Sequence, residues 1–359
     1  MHKAWVWSVE GVEERDFDEI SFANPPLKGA SVFLAHVPVN CHVHLLDSLI
    51  EGIPPKNIQD AVIPPNSFKH RGIEKLLNSL DKDSFSRLLT LKYPHLPILP
   101  MLEFREGGKR GANLGSIGRN HVLMGRPDLA RFEENDASGS GNLKTAKKSV
   151  WKGKNVHFVE GDSQKASVNL DILLGKVEGF GLSGINDHPL HYIEECVDAC
   201  KSKGRPLAIH ASETVREDLD AILSLEPAYL VHMNRGSDAD FKRLGDEGIP
   251  VVICPRASNW FDNKIPIKRM LKHNLNLSLG TDNGMLATPY LYDEIPHMVK
   301  EMNLDFCTAM MIAHNGQVMS DKFPNLESSM YMAWIADSID AGKRMIGHKG
   351  CFSFCSLKK

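Results

Sequence analysis

The amino-acid sequence predicts an α/β fold, a (β/α)8 barrel with a reduced accessory β-element supplied by the termini. First, apolar β-rich runs recur at "RPLAIHA" (205–211), "AYLVHM" (228–233), "PVVICP" (250–255) and "LNLSLGTD" (275–282). Second, amphipathic stretches such as "TVREDLDAILSLEP" and "SDADFKRLGDEGIP" separate them, so strand and helix alternate every 22 to 28 residues. That alternation marks parallel βα units. Third, strand-like runs upstream bring the total to eight, the number that closes a barrel. An open doubly wound sheet is the rival, but no Gly-x-Gly-x-x-Gly turn supports it.

In chain order, the first strand is expected over 32–42, the second over 97–104 ("PILPMLEF"), the third over 121–127 ("HVLMGRP") and the fourth over 177–185 ("VEGFGLSGI"). "PLHYIEECVDACKSKG" then makes a helix ending at Gly204, before strands five to eight over the four runs above. Segment 128–176 reads as a surface excursion rich in Gly, Ser and Lys, with a hairpin within "SVWKGKNVHFVEGD". Its Lys144, Lys147, Lys148, Lys152 and Lys154 form a solvated face, with phosphate binding as the alternative. Residues 1–30 are assigned to accessory strands, 31–345 to the barrel and 346–359 to a C-terminal tail.

Bulk composition narrows the class. The chain has 359 residues, 42% hydrophobic and 24% charged, with net charge −3, which suits a globular protein and argues against nucleic acid as partner. No run reaches membrane-span length, and the start lacks a secretion signal, so a cytoplasmic location without membrane contact is expected. The seven cysteines are an odd, scattered set: Cys41, Cys196, Cys200, Cys254, Cys307, Cys351 and Cys355. They are read as free thiols, metal binding by the pairs spaced by four being the alternative.

The chemistry-bearing residues fall at strand ends. In "VNCHVHL" His42 and His44 are two apart, so a strand aims both rings to one side. His210 ends strand five, His232 ends strand six and Asp282 ends strand eight, each at a carboxyl end, where barrel enzymes build their sites. In strand eight Leu275, Leu277 and Leu279 take one face, while Asn276, Ser278, Gly280 and Asp282 line the barrel. A lone histidine at a strand end is ordinarily a hydrogen-bonded packing residue, but five residues at matching ends are not explained that way. Imidazoles with a carboxylate suit one divalent ion, Zn²⁺ or Fe²⁺, with a position left for water.

"N-x-H-x-H" (Asn40, His42, His44), "H-A-S-E" (His210 to Glu213), His232 and "G-T-D" (Gly280 to Asp282) together resemble the amidohydrolase superfamily, nearest its adenosine and cytosine deaminase branch. The "VVICPRASNW" segment and the Glu-x-Arg of "MLEFREGG" add to the likeness, which covers about Val32 to Ala341. The resemblance implies that His42, His44, His210 and Asp282 hold the metal, Glu213 donates a proton to a ring nitrogen, and His232 stands beside the activated water as base or electrostatic partner. It implies a small heterocyclic substrate and hydrolytic deamination; a homo-oligomer is a further expectation for the chain. Opening of a cyclic amide or C–Cl hydrolysis is the first rival, and a barrel that binds without catalysis the second.

The pattern is not followed everywhere. Where adenosine and cytosine deaminases carry a second acid after the metal-binding Asp, this chain has Asn283, which could still read a base edge. Lys176 and Glu178 lie too early on strand four to bridge two metals, so a single ion is expected. Glu103, Arg105, Asp187, Trp260 and Asn283 are candidate substrate contacts. For Glu103 and Arg105 the alternative is an ion pair bracing the barrel. For Asp187 it is a helix cap, and for Trp260 a loop plug.

Overall fold

A computed structural model of the chain describes residues 2–8, 11–17, 19–20, 31–63, 66–105, 111, 114, 117–118, 120–127, 148–151, 154–157, 170–319, 322–323, 331–336, 338, 353–355 and 357–358. The chain opens with an antiparallel hairpin, β1 (His2–Ser8) and β2 (Gly11–Phe17), followed by the short β3 (Glu19–Ile20). β4 (Ser31–His36) then runs parallel to β1, outside the barrel. The stretch expected as one strand over 32–42 is therefore two. Val37 to Val39 leave the ladder before β5 (Asn40–His44), and Pro38, which has no N–H to give, marks the break.

β5 begins the barrel. Parallel to it follow β6 (Met101–Arg105) and β7 (His121–Gly125), and then, as the sequence led one to expect, a separate hairpin of β8 (Lys148–Trp151) and β9 (Lys154–His157). β10 (Gly179–Leu182), β11 (Leu207–Ala211), β12 (Tyr229–His232), β13 (Val251–Ile253) and β14 (Leu277–Leu279) continue the parallel sheet in order. β15 (Asp282–Asn283) pairs with β5, so strand eight is one strand interrupted at Gly280–Thr281 that closes the ring. The interruption keeps its hydrogen bonds: Gly280 N donates to Ile253 O and Thr281 N to His42 O, each at 2.9 Å. Glycine is required there, since a Cβ at position 280 would lie 2.7 Å from His42 Cβ and 2.8 Å from its carbonyl oxygen.

Alternation sorts the strand residues into two apolar groups. Val39, Cys41, Leu102, Phe104, Val122, Met124, Tyr229, Val231 and Val252 fill the barrel interior. Met101, Leu123, Phe180, Leu230, Val251 and Leu277 face outward into a second core with the helices. The register of β5 on β6 shifts between Asn40 and Val43. That irregularity lets Cys41 join the interior group while His42, its neighbour, also stacks near interior Phe104, at 4.3 Å between ring centroids. A regular strand would have put the two on opposite faces.

α1 (Ile58–Val62), α2 (Phe68–Ser79) and α3 (Lys82–Lys92) fill the connection from β5 to β6. α4 (Leu190–Ser202) leads into β11, and α5 (Leu219–Ser224) into β12. α6 (Asp238–Glu247) precedes β13; Ser237 and Asp240 form a capping box at its start, and Gly248 ends it at φ 67°. α7 (Pro255–Trp260) and α8 (Ile267–Lys272) join β13 to β14, and α9 (Glu294–Glu301) and α10 (Phe306–His314) follow the closed ring.

β16 (Tyr331–Ala336) returns antiparallel to β4, β17 (Ser353–Cys355) pairs with β16, and β18 (Leu357–Lys358) pairs with β3. A five-stranded sheet in the order β17-β16-β4-β1-β2 is thus the accessory element built from both termini. It shares its core with the barrel: Trp7 packs edge-on to Phe306 of α10 at 5.0 Å, among residues continuous with the outer barrel core. Cys41, Cys196, Cys200, Cys254 and Cys307 are free thiols. Lys144, Lys147, Lys152 and Cys351 lie outside the described residues. Among the described residues no helix is long and apolar enough to cross a membrane.

Candidate metal centre

Five side chains from four strand ends meet at the carboxyl rim. The rings of His42 and His210 lie 4.7 Å apart, those of His42 and His44 4.8 Å, and those of His210 and His232 5.0 Å. Asp282 Oδ1 stands 3.4 Å from both His42 Nε2 and His44 Nε2. Donor atoms of His42, His44 and His210 fall within 4.8 Å of one another, as do those of His42, His232 and Asp282, and those of His210, Glu213 and His232. For a tetrahedral ion with bonds of about 2.05 Å the donors should sit roughly 3.3 Å apart, which the carboxylate–imidazole distances match.

The electrostatics favour a cation. Burial pushes the His42 pKa down to about 4 and that of His44 and His210 well below the usual value, so the rings are neutral and offer lone pairs. Burial would raise the Asp282 carboxyl, but the hydrogen bond and charge of His42, with His232 and Lys69, hold it at about 2. Among the described residues, neither His210 Nε2 nor His232 Nδ1, both buried, makes a hydrogen bond. Buried ring nitrogens without partners are costly, and an ion bound by three imidazoles and a carboxylate accounts for such a site.

Backbone strain gathers at the same rim. Ser212, His232, Met233 and Asp282 have φ of 48°, 79°, 55° and 58°, in the left-handed region that side chains disfavour. Hydrogen bonds hold these turns: Met233 N donates to Ala211 O at 2.9 Å, Arg235 N to Ser212 O at 2.8 Å, and Ser212 N to Glu217 Oε2 at 2.7 Å. Asn40 clamps the ring closure, donating through Nδ2 to Thr281 Oγ1 at 2.8 Å and to Pro289 O at 3.0 Å, while its Oδ1 accepts from Thr281 N.

Glu213 comes close beside this set. Its Oε2 lies 3.8 Å from His232 Nε2, and its side chain keeps 27% exposure toward the rim. Burial raises its pKa, opposed by the charge of His232 and reinforced by those of Asp282 and Asp187. Its backbone is fixed by Asn263, whose amide donates to Glu213 O at 2.9 Å.

The candidate substrate contacts fare differently. Glu103 and Arg105 are fully buried on the face of β6 opposite Phe104, where Arg105 bonds Glu103 and Gly111 O and lies 5.1 Å over the Phe85 ring. His121 Nδ1 is 3.5 Å from the other Glu103 oxygen. Their ion pair matches the bracing alternative, and alternation from interior Leu102 and Phe104 places residues 103 and 105 on the other face of β6. Asn283 is likewise engaged on both sides, accepting from Lys69 Nζ and donating to Asp282 Oδ1 at 2.9 Å, so it orients the carboxylate. Trp260 donates through Nε1 to Pro55 O, with Lys56 Nζ 3.5 Å over its ring, the loop-plug alternative. Asp187 stays exposed near the Glu213 side of the rim. Glu178 accepts from Leu123 N at the start of β10, away from the rim.

Sequence reasoning missed Lys69, Arg126, Glu217 and Asn263. Arg126 was readable, because Val122 and Met124 are interior residues of β7 and position 126 continues their parity past its carboxyl end. Lys69, on the long β5–β6 connection, left no such periodic signal.

No protein-family model matches the chain. It is 24% identical over 318 residues to a protein of Methanothermobacter thermautotrophicus provisionally named an aminohydrolase, covering 81% of this chain and 73% of that one. It is 26% identical over 295 residues to a similarly named protein of Archaeoglobus fulgidus, covering 80% and 75%. Among solved structures, atrazine chlorohydrolase of Arthrobacter aurescens complexed with zinc superposes with a TM-score of 0.62 at 12% identity, over 91% of this chain and 82% of that one. Escherichia coli guanine deaminase superposes with a TM-score of 0.61 at 10% identity, over 92% and 85%.

Proposed function

We propose that the chain is a member of the amidohydrolase superfamily and, on that premise, a hydrolase dependent on one divalent metal, Zn²⁺ or Fe²⁺, that deaminates a small aminated heterocycle; the likeness to two proteins provisionally named aminohydrolases and the shared fold support this reading. His42, His44, His210 and Asp282 hold the ion in this reading, supported by their converging donors. A bound divalent ion supplies a water acidified toward neutrality at the rim.

The side chains then manage protons. Asp282, ionised at any working pH, accepts the proton that water sheds on adding to the ring carbon. Glu213, whose burial favours the neutral acid, donates through a carboxyl oxygen to the ring nitrogen beside that carbon. His232, 3.8 Å from Glu213, steadies charge on the same side of the site. Once the leaving nitrogen is protonated, ammonia departs and a carbonyl replaces the amine. The single observation that carries deamination over a generic metal hydrolase is Glu213, an acid beside the donor set with its pKa raised. Likeness to a chlorohydrolase supports a second reading, displacement of chloride by the same machinery.

The test is ammonia release by metal-loaded protein from a panel of aminopurines, aminopyrimidines and aminotriazines. Release from at least one is expected, and none from any overturns the proposal. Glu213→Gln should keep the metal content and lower turnover by about 100-fold or more; unaltered turnover removes Glu213 from its role.

A further inference from the structure

Glu213 stands at the base of a short loop that a second carboxylate closes. The ladder of β11 ends where Ala211 pairs with His232, and Ser212, next in the chain, turns with φ of 48°. Its N–H donates to Glu217 Oε2 at 2.7 Å, while Glu217 N donates back to Ser212 Oγ at 3.0 Å. Those two bonds close a loop that holds Glu213 to Arg216. Thr214, Val215 and Arg216 stand exposed, and Arg216 is pinned to Asp240 of α6 through two bonds of 2.7 Å. Glu217 Oε1 reaches further, to the turn after β10, where it accepts from Asn186 N at 3.4 Å. Gly184 in that turn lets it approach, since a Cβ at position 184 would lie 3.2 Å from the same oxygen.

One side chain thus joins the turns after two neighbouring strands, β10 and β11, at the point where Glu213 leaves the sheet. Ser212 has a backbone conformation that side chains disfavour, so it persists only while its surroundings hold it. Arg235 N, donating to Ser212 O at 2.8 Å, holds the turn from the β12 side, and Asn263 holds the Glu213 carbonyl. Glu217 supplies the matching hold from the β10 side, through a side chain rather than the backbone. A displacement of Glu213 by about 1 Å would cost proton transfer much of its rate, because the acid must come within hydrogen-bond reach of the atom it protonates. Resting on the deamination reading, we infer that Glu217 is a positioning residue, whose carboxylate fixes the turn from which Glu213 delivers its proton.

Zinc-loaded variants test this. Glu217→Gln keeps an oxygen for Ser212 N, Glu217→Ala keeps none, and the Ala change is repeated in Glu213→Gln protein. Amide hydrogen exchange reads the clamp without turnover. Glu217→Ala should speed exchange in peptides spanning 211–217 by about tenfold or more, while Glu217→Gln protects them and the other barrel strands exchange as in the parent. In ammonia release, Glu217→Ala should lower kcat by about 10- to 100-fold with KM within about threefold of the parent, and Glu217→Gln should recover most of that loss. Against the Glu213→Gln background the same Ala change should cost less than about threefold, because residue 213 no longer delivers a proton. A merely structural Glu217 would instead multiply the two losses or release zinc. Multiplied losses, lost zinc, an unchanged kcat, or unaltered exchange at 211–217 overturn the positioning role. A parent that releases no ammonia overturns the deamination reading instead, and exchange then decides alone whether Glu217 holds the turn.

Discussion

Glu103 shows how a residue can suggest chemistry by its neighbours and turn out to serve the scaffold. Burial alone would raise its pKa, but the charges and hydrogen bonds of Arg105 and His121 outweigh burial and hold it below the ordinary carboxylate range. A folded-state pKa below the unfolded value contributes stability that is present above about pH 4.5 and is lost as pH falls through the lower folded value. Glu103→Gln should therefore cost about 3 to 5 kcal/mol at pH 7, by leaving Arg105 buried without its anion. Denaturant unfolding checks this, and the gap between parent and variant should close in acid. The convergence of His42, His44, His210 and Asp282 was legible in the sequence because each ends a strand and the carboxyl ends of a barrel share one rim. For Glu103 and Arg105 the sequence left two readings open, because Glu-x-Arg keeps both on one face without saying which. The interior parity of Leu102 and Phe104 was the missing information. Lys69 was invisible for another reason: its burial depends on the path of a long connection that no local pattern specifies.

At the scale of elements, β5 and the split last strand form one device. β5 gains an interior position through its register shift, and β14 and β15 make room for His42 by carrying glycine where they pass it. Gly280→Ala should force the strands apart at His42 and weaken zinc binding by about tenfold or more, read by metal titration with a chromogenic chelator. The fold should survive, since Asn40 still ties β5 to Thr281. The period of strand and helix announced the parallel barrel in advance, and most strands fall within one to four residues of the runs that predicted them. The first did not, because one apolar run served two sheets and hydropathy is blind to where pairing changes partner. Strand eight was read as continuous through Asp282, whereas φ of 58° there bends the carboxylate toward the imidazoles.

For the whole molecule, the sheet from the termini is joined to the barrel by a common core rather than tethered beside it. Trp7, 2% exposed and packed on Phe306, is the largest side chain at that junction. Trp7→Ala should cost about 3 to 5 kcal/mol in denaturant unfolding. It should leave zinc content and kcat near those of the parent, since the junction lies away from the rim. Loss of activity at full zinc occupancy would mean that the sheet shapes the site as well.

The place of β4 in that sheet bears on how the polypeptide is born. Its neighbour β1 precedes it, but its other neighbour, β16, is translated some 300 residues later, after the entire barrel. Throughout that interval one backbone edge of β4 is without its native partner, an open template for adhesion to other nascent chains. The ribosome must thus translate the entire barrel and β16 before the edge is covered, and a truncated product ending before Tyr331 would emerge sticky, however well its barrel had closed.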